Sequence, residues 1–397
     1  MLKRSKHILG IGKKNSKLGD KMILNILLMV LSLILGWYGR EWIECYLKKR
    51  EYNKLLCKAK FMKDRAEEWI VNYYDKEPNK NILYCLENGT KIPYITKKNW
   101  YGKNFNNTLT ILLTDNETTY PINNKYIKER QLLNQNIWDG NVFCLDNIKE
   151  KENKINVYVG KCTYFQFVTA ADHLAAETIK CIKRNNNMNA TFRNKYFGNM
   201  HQLSNNCLKT QILGVTVAML FRFEDSHYVL IQKRSSSVGV AKNTYAVVPS
   251  FVCNQPNNYP KKDINKIIFH FFLAELLEEL FDYKSIIENK EYIIYDWFYN
   301  EYPVKELLNL QKKGSFKFKT LGMGFDAFTG ELNIAAISVI EDIVFSKSIT
   351  KNMKKNWEIN DCQLIDINSE EFEQILYSKN TYTTTKFTLS ILKKLYK

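Results

Sequence analysis

From Met22 to Tyr38 the chain reads MILNILLMVLSLILGWY, with Asn25 and Ser32 the only clearly polar side chains. A globular helix keeps a polar stripe toward water; this stretch has almost none, which predicts a single membrane-spanning helix. At 1.5 Å rise per residue it covers roughly 26 Å, extended by Gly39 and interfacial neighbours. Trp37, Tyr38 and Trp42 place amphipathic rings where the helix would leave hydrocarbon. The basic stretch before Met22 is long, and Gly39-Arg40-Glu41-Trp42 is not a small-residue cleavage site, so the segment reads as an anchor in a lipid membrane rather than a signal peptide.

The pattern then divides the chain into a basic segment at 1–21, the transmembrane helix at 22–38 and a helical stalk or linker at 39–69 through which two copies could self-associate. An accessory α+β region follows at 70–204, a denser domain at 205–345 and a carboxy-terminal extension or completing helix at 346–397. In the accessory region, Thr108 to Thr114 and Ile155 to Phe167 contain strand-like runs and Ala170 to Ile182 a helix. In the denser domain, Ile212 to Phe221 and Tyr228 to Gln232 read as strands around the turn Glu224-Asp225-Ser226, followed by a short strand at Tyr245 to Val248. Asp263 to Asp282 is the strongest helix, Phe316 to Leu321 and Leu332 to Val339 are strands, and Phe387 to Tyr396 closes the chain as an amphipathic helix. Strands mixed with helices give an α+β class and argue against a repeat architecture.

Composition changes this picture little. A hydrophobic content of 45% with 13% aromatics supports ordered cores. The net charge of +17 is carried by diffuse lysine, so nucleic acid is not an expected partner. Nine scattered cysteines without a CxxC pair read as isolated thiols of a reducing compartment, and the five histidines form no paired ligand motif. The charges flanking 22–38 lean toward export of the large domain, while the thiols and nucleotide chemistry lean toward a cytoplasmic one; the cytoplasmic side is the expectation.

The stretch richest in chemistry is Ala274-Glu275-Leu276-Leu277-Glu278-Glu279-Leu280-Phe281-Asp282. Helical spacing puts Glu275, Glu278, Glu279 and Asp282 along one face. Crowded carboxylates repel, and a divalent cation relieves that repulsion by binding their oxygens. Magnesium or manganese (Mg2+ or Mn2+) held by Glu278 and Glu279, with Glu275 as third ligand or water-positioning group, would neutralise a diphosphate and position water for attack at phosphorus. Lys233 and Arg234 leave the Tyr228 strand where they could contact that phosphate. Gln255 is a candidate contact to base or sugar, and Leu321-Gly322-Met323-Gly324 predicts a flexible bend.

In this order the elements resemble the Nudix hydrolase family. Tyr228 to Ser235 looks like its early strand and basic exit, Tyr245 to Ser250 like the strand entering its substrate loop, and Glu275, Glu278 and Glu279 match its principal acidic helix positions. The resemblance implies a Nudix-like α/β/α sandwich, a divalent metal, and pocket-shaping roles for Phe325 and Asp326. Ala274 stands where the family has arginine and Phe281 where it has glycine. Two functions follow: hydrolysis of a nucleoside diphosphate derivative, or binding of a nucleotide by a noncatalytic sensor or effector. The anchor joined to such a domain also resembles the membrane-anchored Nudix-like effectors of bacterial antiphage systems controlled by cyclic nucleotides.

Overall fold

The structure, a computed structural model, describes residues 46–55, 65–76, 82–133, 137–184, 189–205, 208–234, 244–254, 267–283, 297–354 and 359–396, together with Ile43, Cys57 and Gln135. Packing divides the chain into two units, Met1–Ala59 and Lys60–Lys397. In the first, residues 46–55 are helical, and Ile43, Tyr46 and Leu47 are exposed. The anchor segment 22–38 and Gln255 lie outside the described residues, and no described helix is long and apolar enough to cross a membrane.

The second unit is of mixed α+β class, built on a nine-stranded sheet. Its main path runs β1 (Leu83–Cys85), β2 (Lys91–Ile95), β10 (Phe316–Asp326), β11 (Leu332–Ile340), β6 (Leu213–Phe223), β7 (Ser226–Arg234), β12 (Ile359–Asp366). The β6–β11 pair is parallel, with Leu213 opposite Leu332 and Phe221 opposite Ile340. Strands β6 and β7 pair only beside their turn, from Leu220↔Val229 to Phe223↔Ser226. Toward the other end they splay. Strand β8 (Tyr245–Val247) fills the gap against β7, and β9 (Ser250–Val252) fills it against β6. This opening in the sheet places the site described below.

Alternation along β6 assigns the two faces. Leu213, Val215, Val217 and Met219 join Ile334 and Ala336 in one core with helix α6 (Ile267–Phe281), which contributes Phe272, Leu273, Leu276 and Leu280. Ala218 and Leu220 join Ala335 and Ile337 in the opposite core, with Phe387, Leu389 and Ile391 of helix α10 (Thr383–Tyr396) and Phe372 of α9 (Glu370–Tyr377). Each such side chain contributes about 1.5–3 kcal/mol when fully buried. The sheet is thus covered by helices on both faces. Helix α6 is apolar on most sides because it is covered twice: Phe272 lies 5.0 Å from Phe318 of the large sheet, and Phe271 lies 6.4 Å from Phe143 of a smaller one.

That smaller sheet has the order β3 (Leu109–Glu117), β5 (Lys154–Thr163), β4 (Asn141–Lys151). Its strand β4 continues beside the start of β6, through bridges Cys144↔Ile212 and Val142↔Asn254. Helix α3 (Tyr164–Lys183) begins directly after β5, because Thr163 and Gln166 form a reciprocal capping box that stops the strand. The strand expected through Phe167 therefore ends at Thr163.

Three further expectations are corrected. The boundaries at 204/205 and 345/346 do not divide the packing: β1 and β2 are strands of the large sheet and α10 covers it. Residues 65–69, placed in the stalk, begin helix α1 (65–74), whose Trp69, Ile70 and Tyr74 are buried in the same core. The bend expected at Gly322-Met323-Gly324 is instead continuous strand β10. Both glycines serve close approach: a Cβ on Gly322 would meet Tyr101 Cβ at 2.6 Å, and one on Gly324 would meet Ile95 O at 2.5 Å.

Arg193 of α4 (Thr191–Tyr196) ties the amino-terminal elements to the sheet. It is buried, donating to Tyr74 Oη at 3.2 Å, Thr178 Oγ1 at 3.2 Å and Ala327 O at 2.8 Å. Its guanidinium lies 5.7–5.8 Å from the ring centroids of Trp69, Tyr73 and Tyr74.

Candidate functional site

The acidic face of α6 lies beside β9. Glu279 is buried, and its Oε1 accepts the Ser250 N–H at 3.3 Å, while Glu275 and Glu278 are half-buried. The helix ends at Asp282, which takes a left-handed conformation (φ 58°), as the Tyr283 N–H returns to Leu277 O at 3.3 Å. Glu275 acts electrostatically on Cys253, whose thiol is pushed well up, first by burial and then by Glu275 and Glu331. Glu275 of α6 and Glu331 of the turn before β11 thus both act on the residue that follows β9.

A divalent cation needs several oxygen donors converging on one point. Among the described residues no three His, Cys, Asp or Glu side chains are gathered so as to hold a metal, and Glu279 is committed to strand β9. Magnesium or manganese at Glu275, Glu278 and Glu279 stays an expectation of the sequence.

The structure gathers polar groups instead at the splayed end of the sheet. Asp326 ends β10, Glu331 precedes β11, Gly214 and Thr216 open β6, and Tyr382 and Thr384 stand at the start of α10. Asp326 is fully buried, and its Oδ1 accepts from the Phe328 and Thr329 N–H groups at 2.7 and 3.3 Å. Asn333 Nδ2 donates to Thr216 Oγ1 at 3.0 Å and to Glu331 Oε1 at 3.2 Å, and Thr216 Oγ1 lies 3.2 Å from Thr384 Oγ1. Gly214 makes room for Glu331, because a Cβ there would stand 1.9 Å from Oε1. Tyr382 is held by its N–H to Tyr245 O at 3.0 Å, which fixes the helix start against β8.

Electrostatics follow from this crowding. Burial, and next the neighbouring Asp326, raise Glu331 to about 8. Burial likewise raises Asp326, opposed by Tyr382, by the two turn N–H groups and by Arg193. Glu331 therefore carries its proton through most of the neutral range, and the pair avoids holding two adjacent charges. Arg234, half-buried at the end of β7, exerts its positive charge on both Glu331 and Tyr382. Its neighbour Lys233 is exposed.

Of the residues expected at the site, Asp326 belongs to this cluster and the Arg234 charge acts on its Glu331 and Tyr382, while Glu279 bonds β9 and Glu275 acts on Cys253 just after it. Phe325 does not line it: it is fully buried in the core on the α6 face, 6.2 Å from the Trp100 ring. Gly214, Thr216, Glu331, Asn333, Tyr382 and Thr384 were missed by sequence reasoning. The available signal was polar residues interrupting apolar strands, Thr216 in LGVTVAMLF and Asn333 in LNIAAISVI.

No protein-family model matches this chain, and no curated protein matches it. Among solved structures, the chain is similar to a Nudix hydrolase from M. smegmatis, RenU, at 6% identity, over 47% of this chain and 86% of that one, with a TM-score of 0.24. A likeness so slight carries no argument about activity.

Proposed function

We propose that residues 60–397 form a divergent Nudix-like α/β/α module that binds a nucleotide or nucleoside diphosphate derivative without hydrolysing it, tethered to a membrane by residues 22–38. The observation that carries this reading is the opening between β6 and β7, beside which Arg234 ends β7 and its charge acts on the buried polar cluster of Glu331 and Tyr382. Arg234 offers a planar fork suited to phosphate oxygens, and the pocket offers enclosed hydrogen-bonding groups for the rest of the ligand. The noncatalytic form is supported by Glu279, which holds Ser250, and by Ala274 in place of the resembling family's arginine. A ligand-binding domain on a membrane anchor would act by converting binding into assembly or membrane change.

Hydrolysis is the second reading, favoured by the partial exposure of Glu275 and Glu278 beside β9. The two separate in one experiment on the full chain in detergent: nucleoside diphosphate derivatives are added with magnesium or manganese, and both binding and products are measured. Saturable binding with recovered, intact ligand supports the sensor. Turnover that is abolished by Glu278→Gln or Glu279→Gln supports the enzyme, and neither binding nor turnover removes both.

A further inference from the structure

The helix of the first unit leaves a turn of apolar side chains in water. Ile43, Tyr46 and Leu47 are helical and 54%, 56% and 50% exposed. Their spacing puts them on one stripe, and Arg50 and Lys54 continue that stripe at the next two turns. Residues 46–55 carry four exposed bases, Lys48, Lys49, Arg50 and Lys54, against one acid, Glu51. Apolar side chains running directly into bases call for a cover that is apolar in depth and negative at its surface.

We propose that this helix docks on the anionic surface of a lipid bilayer, its apolar turn entering the headgroup boundary and its bases meeting the lipid phosphates and carboxylates. The inference rests on the reading of residues 22–38 as a tether. That tether keeps the helix at the surface, since the five residues from Tyr38 to Ile43 span at most roughly 18 Å of chain. The stripe itself argues against a second copy as the cover. Two chains leaving one membrane together run parallel, and in register they would set Arg50 against Arg50 and Lys54 against Lys54. Anionic headgroups turn the same charges into attraction. Such lipids are concentrated in the cytoplasmic leaflet, on the side expected for the large domain.

The test is hydrogen exchange over residues 46–55 of the full chain in lipid nanodiscs holding one copy each. Discs of phosphatidylcholine alone are compared with discs containing about 30% phosphatidylserine. Exchange is expected to be about fivefold or more slower in the anionic discs, and about equal in the two at about 0.5 M NaCl, where charges act over only a few ångströms. The variant Arg50→Gln/Lys54→Gln, which keeps good helix formers, is expected to lose most of the slowing. Salt on the wild type gives the same answer should that variant fail to fold. Slowing that is equal in both lipids, or that survives salt, overturns the docking; slowing that appears only with two copies per disc overturns it in favour of self-association. A chain that separates from the discs on gel filtration overturns the tether as well. One that stays in them without lipid-dependent slowing overturns the docking alone.

Discussion

Two buried polar clusters meet at the turn after β10, and they are built in opposite ways. Around Arg193, a single cation is surrounded by acceptors and aromatic faces: Tyr74, Thr178 and Ala327 take its terminal N–H groups, and three rings line its flanks. One residue away from Ala327, the Asp326 cluster instead crowds two buried carboxyl groups, Asp326 and Glu331, each raised chiefly by burial. Like charges this close and this buried cost stability when both are ionised. The first cluster therefore reads as a clamp that fastens α1, α3 and α4 to the sheet, and the second as a place where stability depends on one of two acids keeping its proton.

The comparison is sharpened most by removing the clamp. Arg193→Ala leaves a cavity and three acceptors without their donor, and is expected to lower unfolding stability by about 3–4 kcal/mol in urea titrations. A loss below about 1 kcal/mol would remove the clamp reading.

The pocket is expected to respond in the opposite direction. Glu331 is raised from its ordinary 4.5 to about 8, so the folded chain holds a proton there that the unfolded chain releases. Its contribution to stability is therefore full below about pH 4.5, declines as pH rises through that window and levels off above about 8. Glu331→Gln lacks this slope, and its advantage over the wild type should grow with pH to on the order of 2–3 kcal/mol at pH 9. Thermal unfolding at pH 5 and pH 9 measures it; an advantage that does not change between the two contradicts the buried acid pair.

Gly214→Ala comes next, at about 2 kcal/mol, because the new methyl must displace Glu331. In the double variant Gly214→Ala/Glu331→Ala the clash disappears, so the two effects should couple by about 1 kcal/mol or more in a double-mutant cycle. Strict additivity would show that the glycine serves some other purpose. The smallest effect is expected at Lys386 of α10, which is buried with the Glu67 carboxylate 3.9 Å away and is held below the ordinary lysine range chiefly by burial. Replacement by Met should change stability by less than about 1 kcal/mol, since the lost pair is offset by the charge no longer buried.

The two clusters also show what the sequence could and could not reveal. Periodicity located β6, β7, β8, β11 and α6 to within a few residues, because their burial patterns are set by local alternation or by long apolar runs. It missed the extent of β10 and α10. In β10 the glycines that signal a bend are required by the close approach of Tyr94, Ile95 and Tyr101, residues more than two hundred positions away. In α10 the run Thr383-Thr384-Thr385 lacks the apolar stripe of a surface helix because it is buried against the site itself. The acidic helix was legible as a motif, but its pairing of Glu279 with Ser250 is a tertiary contact that spacing cannot show. The polar cluster was legible only through Arg234 and Asp326; its other members come from three separate elements, β6, β11 and α10, brought together at the splayed end of the sheet.

The central claim is that a nucleotide occupies this splayed end of the sheet, and hydrogen exchange on the full chain with and without saturating nucleoside diphosphate tests it most directly. The Phe328 and Thr329 amides, which donate to Asp326, and the amides of Tyr382 to Thr385 are predicted to slow on binding, with β3 and β5 unchanged. Protection confined to the three-stranded sheet, or none at saturation, would contradict it.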